Sequence, residues 1–159
     1  MKKYELTAEF IEKWGKKLFR IKALISFGSV EAGELGGYIE KEDNLAHDGN
    51  AWVSGDARVY GDARVCGDAR VCDDADYLLI GRIGSRFSFT TFFKNKDKGI
   101  TVSCGCFLGT IAEFRAKVTD THGNNKHAKM YNLAADMAEL QILGEEHFDK
   151  LNTNKSEPF

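Results

Sequence analysis

The chain has 159 residues, a formal net charge of −2 and 43% hydrophobic residues, which suits one compact unit or two small ones. It lacks an apolar run of the roughly 18 residues that span a membrane, and its near-neutral charge argues against binding extended nucleic acid. Four cysteines without a secretory signal favour free thiols, so we expect a cytoplasmic protein.

Residues 1–37 are expected to form an N-terminal β-hairpin cap followed by a glycine-rich loop. Residues 7–14 fit either a helix that begins at Thr7 or the first strand of a hairpin. Residues 19–23 alternate between apolar and basic side chains, which is typical of a half-buried strand, and Gly15 would lie in the connecting turn. The hairpin is the preferred interpretation, and the helix remains the alternative.

A strict six-residue repeat, centred on Ala-Arg-Val-x-Gly-Asp, occupies residues 51–76. Side-chain alternation places the Ala and Val of each hexad on one inner face, and Gly-Asp suits the corner between short strands. The spacing alone therefore predicts a solenoid of short strands. Its predicted inner residues are Val53, Val59, Val65 and Val71.

The repeat resembles the hexapeptide repeat of left-handed parallel β-helices, in which three hexads complete one triangular coil. The resemblance implies a left-handed parallel β-helix of two coils over residues 38–76, the first coil being distorted. In that arrangement Trp52 and Arg70 lie beside each other on the outer surface. Tyr60, Cys66 and Cys72 also point outwards.

Residues 77–144 are predicted to form a small α+β module, so that the fold class is mainly β with an α+β C-terminal part. Strand patterns at 77–84, 87–93 and 100–107 predict a three-stranded antiparallel meander, and two helices follow. The first helix begins with a capping box from Thr110 to Glu113. Residues 145–159 are expected to be a flexible tail. The predicted inward stripe of the second helix is Met130, Leu133, Ala134, Met137 and Leu140.

Segments outside the hexads extend the resemblance to most of the chain. Residues 35–40, 84–86, 90–93, 104–107, 109–111 and 121–123 are similar to a family of hexapeptide-repeat proteins found in phages and prophage-rich gut bacteria. That family has no established chemistry. The resemblance implies an accessory protein of a mobile element, which would act in the host cytoplasm if it is phage-encoded.

The turn between the first two strands of the C-terminal module, residues 81–86, is the candidate anion-binding site. Its two guanidiniums suit phosphate or carboxylate, and the nearby helix N-terminus favours anions. The alternative is a solvated hairpin turn. The predicted ligand-binding residues are Arg86 as anchor, Arg82, Ser85, Thr90, Thr91, Lys126 and Tyr131, the last to stack on a base.

A zinc site is the alternative use of the thiols in this module. Cys104 and Cys106, two residues apart, could supply two sulfurs, and His122 and His127 two nitrogens. Their spacings differ from those of common zinc motifs, so we prefer small thiols that fill the core. We expect neither a metal nor another cofactor.

These features favour a non-enzymatic, homo-oligomeric binding protein. We expect it to sequester a small anionic ligand such as a nucleotide immune signal, as an inhibitor of anti-phage defence. A trimer is favoured by resemblance to other left-handed β-helices, with an exposed apolar outer face as the contact. The first alternative is a protein-interaction module that blocks a host protein. A hexapeptide acyltransferase-like enzyme is less favoured, because only His47 lies near the coils.

Overall fold

The computed structural model describes residues 2–155, which form ten β-strands, three α-helices, one π-helical segment and two short 3₁₀ helices (Glu42–Asn44 and Asp74–Asp76). The strands of the N-terminal half are β1 (Tyr4–Lys13), β2 (Lys16–Ala23), β3 (Leu35–Ile39), β4 (Trp52–Val53), β5 (Arg58–Val59) and β6 (Arg70–Val71). The C-terminal half contains β7 (Tyr77–Ile83), β8 (Ser88–Lys94), β9 (Ile100–Cys104), β10 (Phe107–Thr110), α1 (Ile111–His122), α2 (Lys126–Ala138), a π-helical segment (Glu139–Leu143) and α3 (Glu145–Lys155).

The N-terminal segment is a hairpin, not a helix. Strands β1 and β2 pair antiparallel around a two-residue turn. Trp14 and Gly15 in this turn both have positive φ, 52° and 74°, as a type I′ hairpin turn requires. Strand β2 continues the sheet by pairing antiparallel with β3, which in turn pairs parallel with β5. The hairpin is therefore hydrogen-bonded to the repeat through β3.

The prediction of a left-handed parallel β-helix is wrong. Among the described residues, parallel pairing is confined to β3 with β5, β4 with β6, and a single bridge between Leu45 and Val65. All other strand pairs are antiparallel. The hexads form strands of only two residues, whereas the longer strands are mostly joined by short turns and pair antiparallel. The result is a mixed α/β fold with two four-stranded sheets and one two-stranded sheet.

The four repeat valines lie inside, as the alternation predicts. Each is at most 1% exposed, and the repeat alanines are buried beside them. Trp52 pairs with Arg70 and Val53 with Val71, so residues eighteen positions apart do stack in β4 and β6. Local alternation therefore predicts the inward position of the Ala and Val side chains of each hexad.

Trp52 is buried rather than outward-facing. Its side chain is 3% exposed, with the rings of Tyr4 and Phe27 edge-on to it at 6.5 and 5.4 Å. The Arg70 guanidinium donates to the Asn50 carbonyl at 2.6 Å. Tyr60 and Cys66 are half-buried, and Cys72 is exposed. The outer face on which the predicted trimer depends is therefore only partly exposed, and the trimer stays a prediction.

Lys3 and Tyr4, near the start of the chain, form hydrogen bonds with the segment 45–51, which leads into the repeat. Lys3 is 1% exposed, and its amine donates to the carbonyls of Ala51 at 2.7 Å and Gly49 at 3.4 Å. The Tyr4 hydroxyl donates to the Leu45 carbonyl at 2.6 Å. His47 stacks on Tyr4, with ring centroids 4.2 Å apart, and its Nδ1 accepts from the Lys3 backbone amide. His47 thus has a structural place in this core.

The C-terminal sheet has four antiparallel strands in the order β10-β9-β8-β7, one strand more than predicted. The capping box at the start of α1 is confirmed, because Thr110 and Glu113 each accept from the other's backbone amide. Residues 145–155 of the predicted flexible tail form the helix α3, and the flexibility of the tail stays a prediction. Residues 156–159 of that predicted tail lie outside the described residues. No helix in the described part of the chain is long and apolar enough to cross a membrane.

Two hydrophobic cores meet at strand β8. Phe93 packs with the repeat core, whereas the adjacent Phe92 packs with α1, α2 and the C-terminal sheet. Successive side chains of a strand point to opposite faces, so one strand serves both cores. The repeat therefore supports the sheet that carries the C-terminal helices.

The predicted inward stripe of α2 faces outwards except at Ala134. The buried side of the helix carries Tyr131 and four alanines instead. Small side chains let the helix lie close to the sheet, and this outweighs the greater hydrophobicity of the larger residues. The members of the predicted stripe that are exposed are Met130, Leu133, Met137 and Leu140.

Candidate functional site

Two of the three main clefts in the described residues carry acidic side chains. One, of 570 Å³, is lined by Asp56, Asp73 and Asp74 against a single cation, Arg58. The other, of 450 Å³, shares Arg58 and Asp74. The Asp74 carboxylate accepts from the Arg58 backbone amide at 2.7 Å and from its Nε at 2.9 Å. The Arg58 charge is therefore neutralised, and neither cleft favours an anion.

The third cleft, here called the C-terminal cleft, has the opposite charge. Its volume is 510 Å³, and its lining includes Arg86 and Lys117 but neither aspartate nor glutamate. It lies between the β7–β8 turn, the β9–β10 turn and the two helices α1 and α2. Its lining residues are Ser85, Arg86, Ser88, Cys104, Gly105, Cys106, Phe107, Phe114, Lys117, Val118, Thr121, His122 and Tyr131.

Aromatic rings form the floor of the C-terminal cleft. The Tyr131 ring lies nearly perpendicular to Phe114 at 5.6 Å and stacks on His122 at 5.9 Å. The Phe107 ring is tilted against Phe114, with the ring centroids 5.8 Å apart. Phe114 and His122, both on α1, hold the Tyr131 ring of α2 in place. The floor is a fixed apolar surface that can accept a planar ring.

The Tyr131 phenol is neutral under physiological conditions. Burial, then the neighbouring Cys104, raises the pKa of Tyr131 to about 12, while Arg86 nearby acts in the opposite direction. A protonated phenol can donate a hydrogen bond. Tyr131 therefore adds no negative charge to the cleft, and its potential stays positive.

The two cations of the cleft have no acidic partner. In the described part of the chain, neither Arg86 nor Lys117 forms an ion pair or a side-chain hydrogen bond. By contrast, Arg115, two residues before Lys117 on α1, is paired with Asp136 and Glu139. Unpaired cations beside a concave apolar surface provide attraction for an anion that internal carboxylates do not cancel.

Three of the seven predicted ligand-binding residues line the C-terminal cleft, namely Arg86, Ser85 and Tyr131. Two of the others, Arg82 and Lys126, are exposed but do not line it. Lys126 begins α2, and the preceding Asn125 caps that helix. The structure therefore brings together the β7–β8 turn and Tyr131, but not the cation at the helix start.

Thr90 and Thr91 are buried and use their hydroxyls within the protein. The Thr90 hydroxyl donates to Cys104 Sγ at 3.2 Å, and Thr91 Oγ1 accepts from the Arg64 backbone amide at 3.1 Å. As neighbours on β8 they face opposite sides of the sheet. The two threonines stabilise the sheet and its junction with the repeat, and neither lines the cleft.

Sequence reasoning missed Lys117 and the helical face to which it belongs. Phe114, Lys117, Val118 and Thr121 recur at three- and four-residue intervals on α1, and all of them line the cleft. That periodicity is visible in the sequence. It could have indicated that Lys117 lies beside the buried Phe114.

The thiols do not assemble a metal site. Within residues 2–155, no three His, Cys, Asp or Glu side chains lie close enough to hold a metal ion. Cys106 is exposed and lies in the two-residue turn between β9 and β10, so the prediction that it fills the core is wrong. Cys104 is half-buried and packs against the C-terminal core.

No family model matches the chain, and no curated protein matches it at a significant level. The resemblance to hexapeptide-repeat proteins therefore stays a prediction that rests on the segments named above.

Proposed function

We propose that this protein binds and retains a small anion that carries an aromatic ring, such as a nucleotide, in the C-terminal cleft. The observation that supports this most strongly is the pair of unpaired cations, Arg86 and Lys117, beside an aromatic floor. The 510 Å³ volume lies within the roughly 300–1,000 Å³ typical of small-molecule sites.

The phosphate of such a ligand would lie at the cationic side of the cleft. A guanidinium can engage two phosphate oxygens at once, so Arg86 is the proposed anchor. Lys117 would add a second positive charge from α1. Ser85 in the turn and Ser88 at the start of β8 supply hydroxyl donors of the kind that bind phosphate.

The ring of the ligand would lie against the apolar side of the same cleft. Phe107, Phe114 and Val118 line this side, and Tyr131 and His122 border it. Stacking on aromatic side chains is tolerant of base identity, because every base has a π-face. The proposal therefore specifies nucleotides as a class rather than one nucleotide.

The biological role we propose is sequestration of a nucleotide immune signal in an infected cell. It is supported by the resemblance to phage-type accessory proteins and by a cleft suited to retention of an anion. The chief rival, a module that blocks a host protein, is favoured by one observation, the exposed apolar side of α2.

Calorimetry tests the proposal. We expect the wild-type protein to bind at least one member of a panel of cyclic dinucleotides, ADP-ribose-type nucleotides and mononucleotides. The double substitution Arg86→Ala with Lys117→Ala should weaken that binding at least about 100-fold, since each charge-assisted hydrogen bond contributes about 1.5–3 kcal/mol.

The matched control is the double substitution Arg82→Ala with Lys126→Ala. It removes the same net charge from neighbouring segments whose side chains do not line the cleft. Binding by this control should be close to that of the wild type. If the wild type binds no member of the panel, or if the control pair loses as much affinity as the cleft pair, the proposed function is wrong.

A further inference from the structure

Four large apolar side chains are exposed in a row on α2 and the π-helical segment that continues it. Met130 is 40% exposed, Leu133 62%, Met137 56% and Leu140 43%. Their spacing of three, four and three residues is that of the contact positions in helix pairs. We call these four residues the outer stripe.

The orientation of the outer stripe is fixed by contacts on other sides of α2. Arg115 of α1 donates to Asn132 Oδ1 at 3.0 Å, to Asp136 at 2.7 Å and to Glu139 at 3.0 Å. The alanine-rich inner side of α2 is buried. The helix therefore cannot bury the outer stripe by rotating without breaking this network.

We propose that the outer stripe is covered by the outer stripe of a second copy of this chain, with the two helices antiparallel. The spacing is the same when it is followed in either direction, so the stripe is complementary to itself. In a symmetric pair, Met130 lies opposite Leu140 of the second copy, and Leu133 lies opposite Met137 of that copy. The same patch is used on both subunits, so the assembly closes at two.

The charges at the ends of the stripe favour the antiparallel direction. Lys126 and Lys129 are exposed at its start, and Glu145 is exposed just after its end. In the part of the chain that the structure describes, none of the three forms an ion pair. Antiparallel packing places the lysines of one copy near the glutamate of the other, whereas parallel packing would bring like charges together.

The dimer leaves the C-terminal cleft open and does not depend on the proposed function. Tyr131, which lines the cleft, lies on the buried side of α2, away from the outer stripe. Each dimer would present two clefts. This inference also differs from the trimer expected from the repeat, because it uses another surface and another stoichiometry.

Sedimentation of the full-length protein at micromolar concentrations tests the inference. We expect a wild-type mass of about 35 kDa, twice the 17.7 kDa of the chain. Leu133→Glu with Met137→Glu should raise the dimer dissociation constant at least about 100-fold, because charges would replace the central contacts. The control, Leu35→Glu with Leu108→Glu, changes two equally exposed leucines outside the stripe and should stay dimeric.

A charge exchange tests the direction of the pair. Lys126→Glu should weaken the dimer several-fold at low salt, and adding Glu145→Lys should restore it, because the opposite charges would again meet across the interface. A wild-type monomer, a trimer, or a dimer that survives the Leu133 and Met137 changes would overturn the inference. Failure of the exchange to restore the dimer would overturn the antiparallel direction.

Discussion

Replacing Gly84 by alanine is expected to destabilise the protein and to abolish nucleotide binding. Gly84 has φ +83°, and an added Cβ would lie 1.8 Å from the Tyr131 hydroxyl oxygen. The Tyr131 ring cannot move aside easily, because Phe114 and His122 hold it. We expect a loss of about 1–2 kcal/mol from the left-handed backbone and about 1–3 kcal/mol more from overpacking.

Gly15→Ala is the matched control for this substitution. Gly15 also has positive φ, +74°, but an added Cβ would meet nothing within 4 Å. It lies in the β1–β2 turn, far along the chain from the cleft. Urea unfolding and calorimetry should show a smaller stability loss and intact binding for Gly15→Ala. Equal stability losses in the two variants, with binding retained in Gly84→Ala, would show that Tyr131 is not fixed as described.

Stability is expected to rise between about pH 8 and pH 10 because of Lys3. Burial, and secondarily the Arg70 charge, lowers the pKa of Lys3 from 10.5 to about 8. In that interval the folded protein releases the Lys3 proton while the unfolded chain keeps it, so the unfolding free energy increases with pH. The increase is at most about 3 kcal/mol, at about 1.4 kcal/mol for each pKa unit.

The neutral Lys3 amine can keep its hydrogen bonds, because its two N–H groups match the carbonyls of Ala51 and Gly49.

Two tyrosines act in the opposite direction at higher pH. Burial raises the pKa of Tyr4 and of Tyr77, so these phenols lower stability above about pH 10. Urea midpoints of wild type, Lys3→Met and the exposed-site control Lys2→Met at pH 7, 8.5 and 9.5 would test this. The rise should vanish in Lys3→Met and persist in Lys2→Met; the same rise in Lys3→Met would contradict it.

The repeat shows which features of the fold can be predicted from the sequence. The inward valines follow from alternation within each hexad, a property of a few neighbouring residues, and they are buried as expected. The left-handed parallel β-helix was inferred by resemblance, and it is wrong. Whether two-residue strands extend into a long parallel sheet depends on the rest of the chain, which here supplies mainly antiparallel strands.

Helix α2 shows why hydrophobicity alone can assign the wrong face. The large residues of its apolar stripe suggested the core side, yet the structure buries the alanines and Tyr131. The distance between the helix and the sheet determines which face of α2 is buried, and that distance depends on the residues that pack between them. A second copy covering the larger residues would reconcile the sequence pattern with the fold.

The candidate site was predictable only where a local sequence pattern placed its residues. Arg86 and Ser85 were inferred from the chemistry of a turn, and both line the cleft. Thr90 and Thr91 were inferred from nearness in sequence, although adjacent strand residues face opposite sides. To predict that Lys117 lines the cleft, one would need to know that this face of α1 lies beside a turn some thirty residues earlier in the chain. Neither local sequence pattern specifies that contact.

Hydrogen–deuterium exchange with the tightest-binding nucleotide tests the central claim most directly, because it locates the ligand. If the ligand occupies the C-terminal cleft, amide exchange should slow in the segments 84–88, 104–107 and 114–122, which contain most of its lining residues. Exchange should be unchanged in the segments 56–60 and 72–79, which contain most of the residues that line the two clefts with Asp74. Protection at those acidic clefts, with none around Arg86 and Lys117, would contradict the account.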